Sequence, residues 1–436
     1  MPLSPYAAAP FIVIWETTRA CDLACKHCRA AAMPARNPAE LSTDEAKVLI
    51  DDVAAMRPQP NFVLTGGDPM KRPDLVEIIR YAARERGLRI SITPSATPLV
   101  TREQIRACAE AGLARWAFSI DGATAEAHDF FRGQSGSFAI TLQAIEDLKS
   151  LSLPLQINTT VSRYNYASLP EIGRLAERLG AVLWSVFFLV PVGRGRVDDA
   201  LGPHETEDVL RWLEEFSRSA ACDVKTTEAP QWRRVLRQQR GDATPAQGLG
   251  PDLVGRAPRP VADGDGFVFV SHKGDVYPSG FLPLELGNVR ETPLSEIYRR
   301  SDVLLALRDR SRLHGKCGIC RVPRDLRRLT LARLRHHGGL PRKRSLLPVP
   351  AGSRRGLPAS ARRQAGAARR RGVRRSGMSR RSHHESGKAR SASRRTGTWL
   401  LATSRRAVTR ASGRSRPSRA RSSSPALPSC VASSAR

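Results

Sequence analysis

Short apolar runs recur as far as residue 189, each followed by a polar or glycine-bearing break and then by residues with helical spacing. The runs fall at residues 11–15, 61–64, 88–92, 116–120, 155–159 and 182–189. Apolar runs this short, bounded by such breaks, predict strands buried on both faces. Between them, residues 42–56, 75–86, 101–111, 137–151 and 169–179 predict helices. Ser42, with Glu45 three residues on, forms a capping box at the start of the first helix. Gly87, Gly112 and Gly180 stand where helix-ending glycines belong. Six strands alternating with helices predict right-handed crossovers and a parallel sheet, an α/β fold. A further helix at 205–220 leads out of this unit. Residues 230–265 read as irregular, 266–280 as a hairpin turning at Gly274 and Asp275, and 294–308 as an amphipathic helix.

In a parallel sheet of this kind, ligands collect at the carboxyl ends of the strands. The polar and glycine-rich residues of the chain sit at those ends. They include Thr65, Gly66, Gly67 and Asp68 after the second strand, Ser119 and Asp121 after the fourth, and Asn158 in the fifth. Above all, Cys21, Cys25 and Cys28 follow the first strand at C-x3-C-x2-C spacing. Thiolates suit iron–sulfur clusters, zinc or copper. A structural zinc site needs four protein ligands, and His27 is the fourth one on offer, although it adjoins Cys28. A cubane held by three cysteines leaves one iron free for another ligand. Three close thiols with no fourth cysteine nearby favour that reading over zinc or over incidental buried thiols. Cys108 and Cys222 lie on or near helices and read as buried structural residues.

Charge changes the picture of the C-terminus. The 436 residues carry a formal net charge of +30. Residues 321–436 hold 32 Lys and Arg against two acids, Asp325 and Glu385, so the whole excess lies there and the body is neutral. This tail is rich in Arg, Ser, Ala, Gly and Pro, without a sustained apolar period, and is expected to be disordered. A basic nucleic-acid arm is one reading, but Trp399 is its only aromatic and no repeat runs through it. An out-of-frame translation of a G+C-rich gene fits better, and nucleic acid is not an expected partner. Translating the other two frames tests this: a cysteine-rich segment with Gly-Gly should appear. No run of about 18 apolar residues is present, so no transmembrane helix is expected. The first apolar stretch lacks the flanks of a signal peptide. Eight cysteines, partly clustered, suit metal binding in a reducing cytoplasm.

The C-x3-C-x2-C loop after the first strand, the Gly-Gly-acid motif after the second and the sixfold βα pattern together resemble the radical S-adenosylmethionine (AdoMet) superfamily. The resemblance covers about residues 11–192 and implies a partial (β/α)6 TIM-like barrel, domain 1–215. Residues 266–320, with Gly274-Asp-Val-Tyr-Pro278 and Cys317-Gly-Ile-Cys320, resemble the start of the auxiliary-cluster domain called SPASM. That implies a truncated α+β extension, 216–320, ahead of the tail, 321–436. The family pattern continues with further cysteines, whereas this chain continues Arg321-Val-Pro-Arg324. Cys317 and Cys320 are therefore at most a remnant of a second iron–sulfur site, and Ser279 stands where many relatives have cysteine.

The resemblance implies that Cys21, Cys25 and Cys28 hold a [4Fe-4S] cluster whose open iron takes AdoMet. Reductive cleavage to a 5′-deoxyadenosyl radical and hydrogen abstraction from a substrate would follow. Thr65, Gly66, Gly67 and Asp68 match the methionine-amino site, with Asp for the more usual Glu. Ser119 and Asp121 match positions near the ribose and carboxylate, Val190 lies where the adenine would, and Asn158 is a further candidate. A flavodoxin- or ferredoxin-like electron donor is implied. The related branches mature haem or modify peptides, so a peptide or a haem precursor is the expected substrate. Three other readings stand beside this one. A molybdenum-cofactor-type cyclase would need a C-terminal Gly-Gly, whereas this chain ends Ser-Ala-Arg. The others are an inactive frameshifted relative and a metal- or nucleic-acid-binding protein working through its basic tail.

Overall fold

The computed structural model describes residues 4–241, 248–249, 255–257 and 261–309. The alternation read from the sequence builds one sheet: β1 (Ile12–Thr18), β2 (Asn61–Gly66), β3 (Arg89–Ile92), β4 (Arg115–Ser119), β5 (Leu155–Val161) and β6 (Leu183–Phe188) lie side by side, all parallel. Sequential parallel neighbours put every strand's carboxyl end on one rim. The crossovers contain α1 (Thr43–Ala55), α2 (Leu75–Arg80), α3 (Arg102–Glu110), α4 (Ala125–Arg132), α5 (Ser137–Ser150) and α6 (Leu169–Arg178). The capping box at Ser42 forms as expected: its Oγ accepts from the Glu45 N–H at 3.2 Å, and Glu45 accepts from the Ser42 N–H at 2.8 Å.

The sheet is longer than six strands. After α7 (Pro203–Ser219), β7 (Asp223–Thr227) pairs with β6, and α8 (Trp232–Arg240) follows. Beyond the short pair β8 (Gly248–Leu249) and β9 (Gly255–Arg256), β10 (Ala262–Asp263) leads into β11 (Gly266–Val270). β11 pairs in parallel with β1 on its free edge, and β12 (Asp275–Tyr277) and β13 (Gly287–Asn288) follow antiparallel. The last helical stretch is not one helix but two, α9 (Leu294–Arg300) and α10 (Asp302–Arg308), because Ser301 leaves the helical backbone with ψ 120°. The end of the helix at 75–86 widens into a π-turn at residues 81–85. The described residues belong to one compact unit. None of its helices is long and apolar enough to cross a membrane. Cys317, Cys320 and the basic tail lie outside the described residues.

Strand alternation decides what faces the barrel lumen. Val13 and Trp15 join the main core, where Trp15 stacks on Phe62 with centroids 6.3 Å apart. Ile14 and Glu16, their neighbours in β1, therefore face inward. Trp184 of β6 packs in the same core against Trp212 and Phe216 of α7. Truncating one such buried aromatic costs about 3–5 kcal/mol.

Candidate functional site

The cysteine loop leaves β1 at the carboxyl rim and folds back on itself: the Cys21 N–H donates to Met33 O (2.8 Å) and the Met33 N–H to Arg19 O (3.0 Å). Cys21 and Cys25 are 5% and 7% exposed, and Cys28 is half-buried; they share an apolar pocket with Leu23 and Ala32. Burial pushes the Cys21 and Cys25 thiols up, and each feels like charge, from Cys21 and Cys28 at Cys25 and from Asp68 at Cys21. Donors already point at the sulfurs. The Leu23 N–H reaches Cys21 Sγ and the Ala32 N–H reaches Cys28 Sγ, each at 3.4 Å, and Ser95 Oγ lies 3.3 Å from Cys21 Sγ. Among the described residues no three His, Cys, Asp or Glu side chains converge on a point for a single metal ion. His27 instead stacks its ring on Phe131 at 4.5 Å, and burial drives its pKa well below the usual value.

Glycines from separate elements clamp this loop. A Cβ at Gly67 would lie 2.5 Å from Ala20 O, one at Gly133 2.6 Å from Ala24 O, and one at Gly193 2.3 Å from both Cys28 O and Arg29 O. Gly67 and Asp68 donate their N–H groups to Thr18 O (2.8 Å) and Ala20 O (2.6 Å). Arg194 closes the far side, Nε donating to Cys25 O (2.8 Å) and Nη1 to Ala32 O (3.0 Å).

The remaining expected residues divide by where they sit. Asp68 is fully buried and accepts from the Met70 N–H (3.1 Å), the Ser95 N–H (3.3 Å) and Thr97 Oγ1 (2.9 Å). Burial outweighs these bonds and raises its pKa to about 6. Thr65 pairs in register with Glu16, and Ser119, Asn158 and Ser185 are in register across β4, β5 and β6, so each set shares a face of the sheet. Asn158 accepts from Gln156 Nε2 at 2.6 Å. Val190 is buried at the rim, its carbonyl bonded to the Val192 N–H. Gly66 sits against Thr18 O, where a Cβ would come within 2.3 Å.

Asp121 is buried with Arg132, the two 3.3 Å apart, and also accepts from the Thr160 N–H at 2.7 Å. Burial pushes the Asp121 carboxyl up, and Arg132 and the Thr160 N–H pull against it. Arg132 is 8% exposed, and its charge is felt at Cys21 and Cys25. His128, one turn earlier on α4, is held neutral near pKa 3 by burial and by Arg132, and its Nδ1 accepts from the Asp121 N–H at 3.3 Å. Sequence reasoning missed α4 and with it Arg132. The available signal was His128 and Arg132 four residues apart on one helical face, beginning at a Thr124 cap and ending at Gly133.

The chain matches the model of the Radical SAM superfamily over residues 15–176. It is similar to an AdoMet-dependent heme synthase of Methanosarcina barkeri, with 42% identity over 315 residues, covering 72% of this chain and 88% of that one. It is likewise similar to an AdoMet-dependent heme synthase of Nitratidesulfovibrio vulgaris, with 42% identity over 314 residues, covering 71% and 84%. Among solved structures it resembles the fold of SuiB from Streptococcus suis bound to S-adenosylmethionine, with a TM-score of 0.57, 14% identity and coverage of 73% and 72%.

Proposed function

We propose that this chain, which belongs to the radical SAM superfamily and is an enzyme, acts on an iron-porphyrin haem precursor. In this reading Cys21, Cys25 and Cys28 hold a [4Fe-4S] cluster. The donor set fits that group: three thiols in an apolar pocket, with N–H groups already aimed at two of the sulfurs. A cube takes each thiolate on a different iron, so its ligands need not meet at one point. When bound, the cluster and AdoMet supply one-electron reductive chemistry that generates a radical able to remove hydrogen from carbon.

The chain's own residues then have defined tasks. Arg132, fixed by Asp121, offers a buried cation beside the thiols for the AdoMet carboxylate, which a guanidinium suits better than an ammonium. Thr65, Ser119 and Asn158 line the lumen as polar contacts for the rest of AdoMet, and the backbone near Val190 receives its adenine. Gly66 and Gly67 let β2 approach the cysteine loop. Asp68 shapes the turn beneath it rather than offering a free carboxylate. The reading carries with it a flavodoxin- or ferredoxin-type electron donor and a cytoplasmic setting. We also assign residues 1–215 to the barrel and 216–320 to its extension. A second cluster at Cys317 and Cys320 is not assigned.

The observation that carries the AdoMet site is the buried Arg132 beside the three thiols, of which Cys21 and Cys25 are buried and Cys28 half-buried. The substrate class rests on the similarity to haem synthases over most of their length. The test is anaerobic reconstitution followed by incubation with AdoMet, reductant and iron-coproporphyrin III. About four irons per chain, release of 5′-deoxyadenosine and loss of carboxyl groups from the porphyrin by mass spectrometry are expected, with Cys25→Ala abolishing all three. Full iron and deoxyadenosine release by Cys25→Ala would sink the cluster assignment, and turnover of a peptide but not of porphyrin would sink the substrate class.

A further inference from the structure

One buried charged group on the inner wall has no part in the AdoMet site. Glu16, near the carboxyl end of β1, is 4% exposed and faces the lumen. It accepts from Arg29 Nη2 at 2.7 Å and pairs with His272 Nδ1 at 3.0 Å. His272 follows β11, the strand that β1 takes as its outer neighbour, and is 3% exposed. Its Nε2 is buried and has no hydrogen-bond partner among the described residues. The Arg29 guanidinium lies 4.5 Å over the ring of Phe269, an inward-facing residue of β11, and its stem packs on Gly280, where a Cβ would lie 3.1 Å from Arg29 Cδ. Tyr277 lies beside the same Phe269 ring, tilted to it by 52° with centroids 6.3 Å apart.

A buried ring nitrogen without a partner is costly and calls for an explanation. Here the other nitrogen is committed to Glu16, which sets the direction in which Nε2 points its proton or lone pair. Arg29 has five N–H donors, and Glu16 takes one of them. Glu16 and Arg29 cancel in charge.

We propose that Arg29 and His272 form a two-point subsite for one substrate carboxylate, with Glu16 as the positioning residue that holds both donors. Phe269 supplies an apolar floor beside it, suited to the flat ring from which such a carboxylate hangs. Because Arg29 directly follows Cys28, the subsite fixes the carboxylate arm of the substrate close to the cysteine loop. The inference deepens the haem-precursor reading and rests on it.

The probes are iron-coproporphyrin III and its tetramethyl ester, titrated into the full chain by absorbance under anaerobic conditions. His272→Ala is expected to weaken binding of the free acid roughly tenfold to hundredfold, the usual effect of losing a charge-assisted hydrogen bond, and to leave the ester within about twofold. His272→Gln, which keeps a donor, is expected to recover part of the loss. Arg29→Met gives an independent arm with the same selectivity, should His272→Ala fail to fold by circular dichroism. Equal weakening for acid and ester, or no weakening for the acid in both His272→Ala and Arg29→Met, overturns the subsite while leaving the haem-precursor reading standing. Failure of the unsubstituted chain to bind either porphyrin overturns both.

Discussion

Gly193→Ala tests the claim that the cysteine loop is held by backbone contacts made far along the chain. Gly193 has φ +61°, a left-handed conformation that costs a residue with a side chain about 1–2 kcal/mol. The added methyl would also lie 2.3 Å from the carbonyl oxygens of Cys28 and Arg29, well inside the roughly 3.5 Å at which non-bonded atoms attract. Both obstacles are backbone, so the loop must retreat by about 1 Å to relieve the contact. That retreat stretches the 2.9 Å bond from the Arg194 N–H to Cys28 O, a further loss of about 0.5–1.5 kcal/mol. The expected destabilisation is about 1.5–3.5 kcal/mol, seen as a fall of roughly 5–10 °C in the thermal midpoint. Iron uptake on anaerobic reconstitution should fall with it, because Cys28 moves with the loop. Gly180→Ala is the control: φ is +76°, but a Cβ there meets nothing within 4 Å. It should lose only the backbone component, about 1–2 kcal/mol, and keep its iron. Equal midpoint shifts in the two variants, with full iron in both, would refute the reasoning.

Two further expectations concern the buried acid–base groups. Asp68 is raised from 3.8 to about 6, so the native state holds its proton more tightly than the unfolded chain. Its stabilising contribution is therefore complete below about pH 4 and is lost as pH rises through about 6, a change of about 2–3 kcal/mol. Asp68→Asn should flatten that part of the thermal midpoint's pH profile between pH 4 and 6, and a difference curve against the parent chain that shows no such step would contradict it. Arg132→Lys keeps the charge but loses the planar fork, and AdoMet affinity measured by equilibrium dialysis should fall roughly tenfold or more; unchanged affinity would remove Arg132 from the AdoMet site.

Chain order alone carried the frame of this protein. The period of apolar runs placed β1 to β6, because buried parallel strands need little but continuous apolar residues. The capping box at Ser42 was legible because its two partners are three residues apart. The three cysteines were legible for the same reason: their ligand chemistry is written within eight residues. Weakly apolar elements were not legible. β7 and α8 fell in or beside segments that read as linker, and α4 is only eight residues long.

What only the tertiary structure decided is the company those thiols keep. Arg194 reaches the loop across 169 residues, and His272 reaches Glu16 across 256. No local pattern encodes such pairs, because they arise where the sheet brings its strand ends to one rim. The same holds for the glycines: folding alone reveals that Gly67 and Gly193 each leave room for a carbonyl of the cysteine loop. Propensity and period act over a few residues, whereas burial of charge and close backbone approach are properties of distant segments meeting.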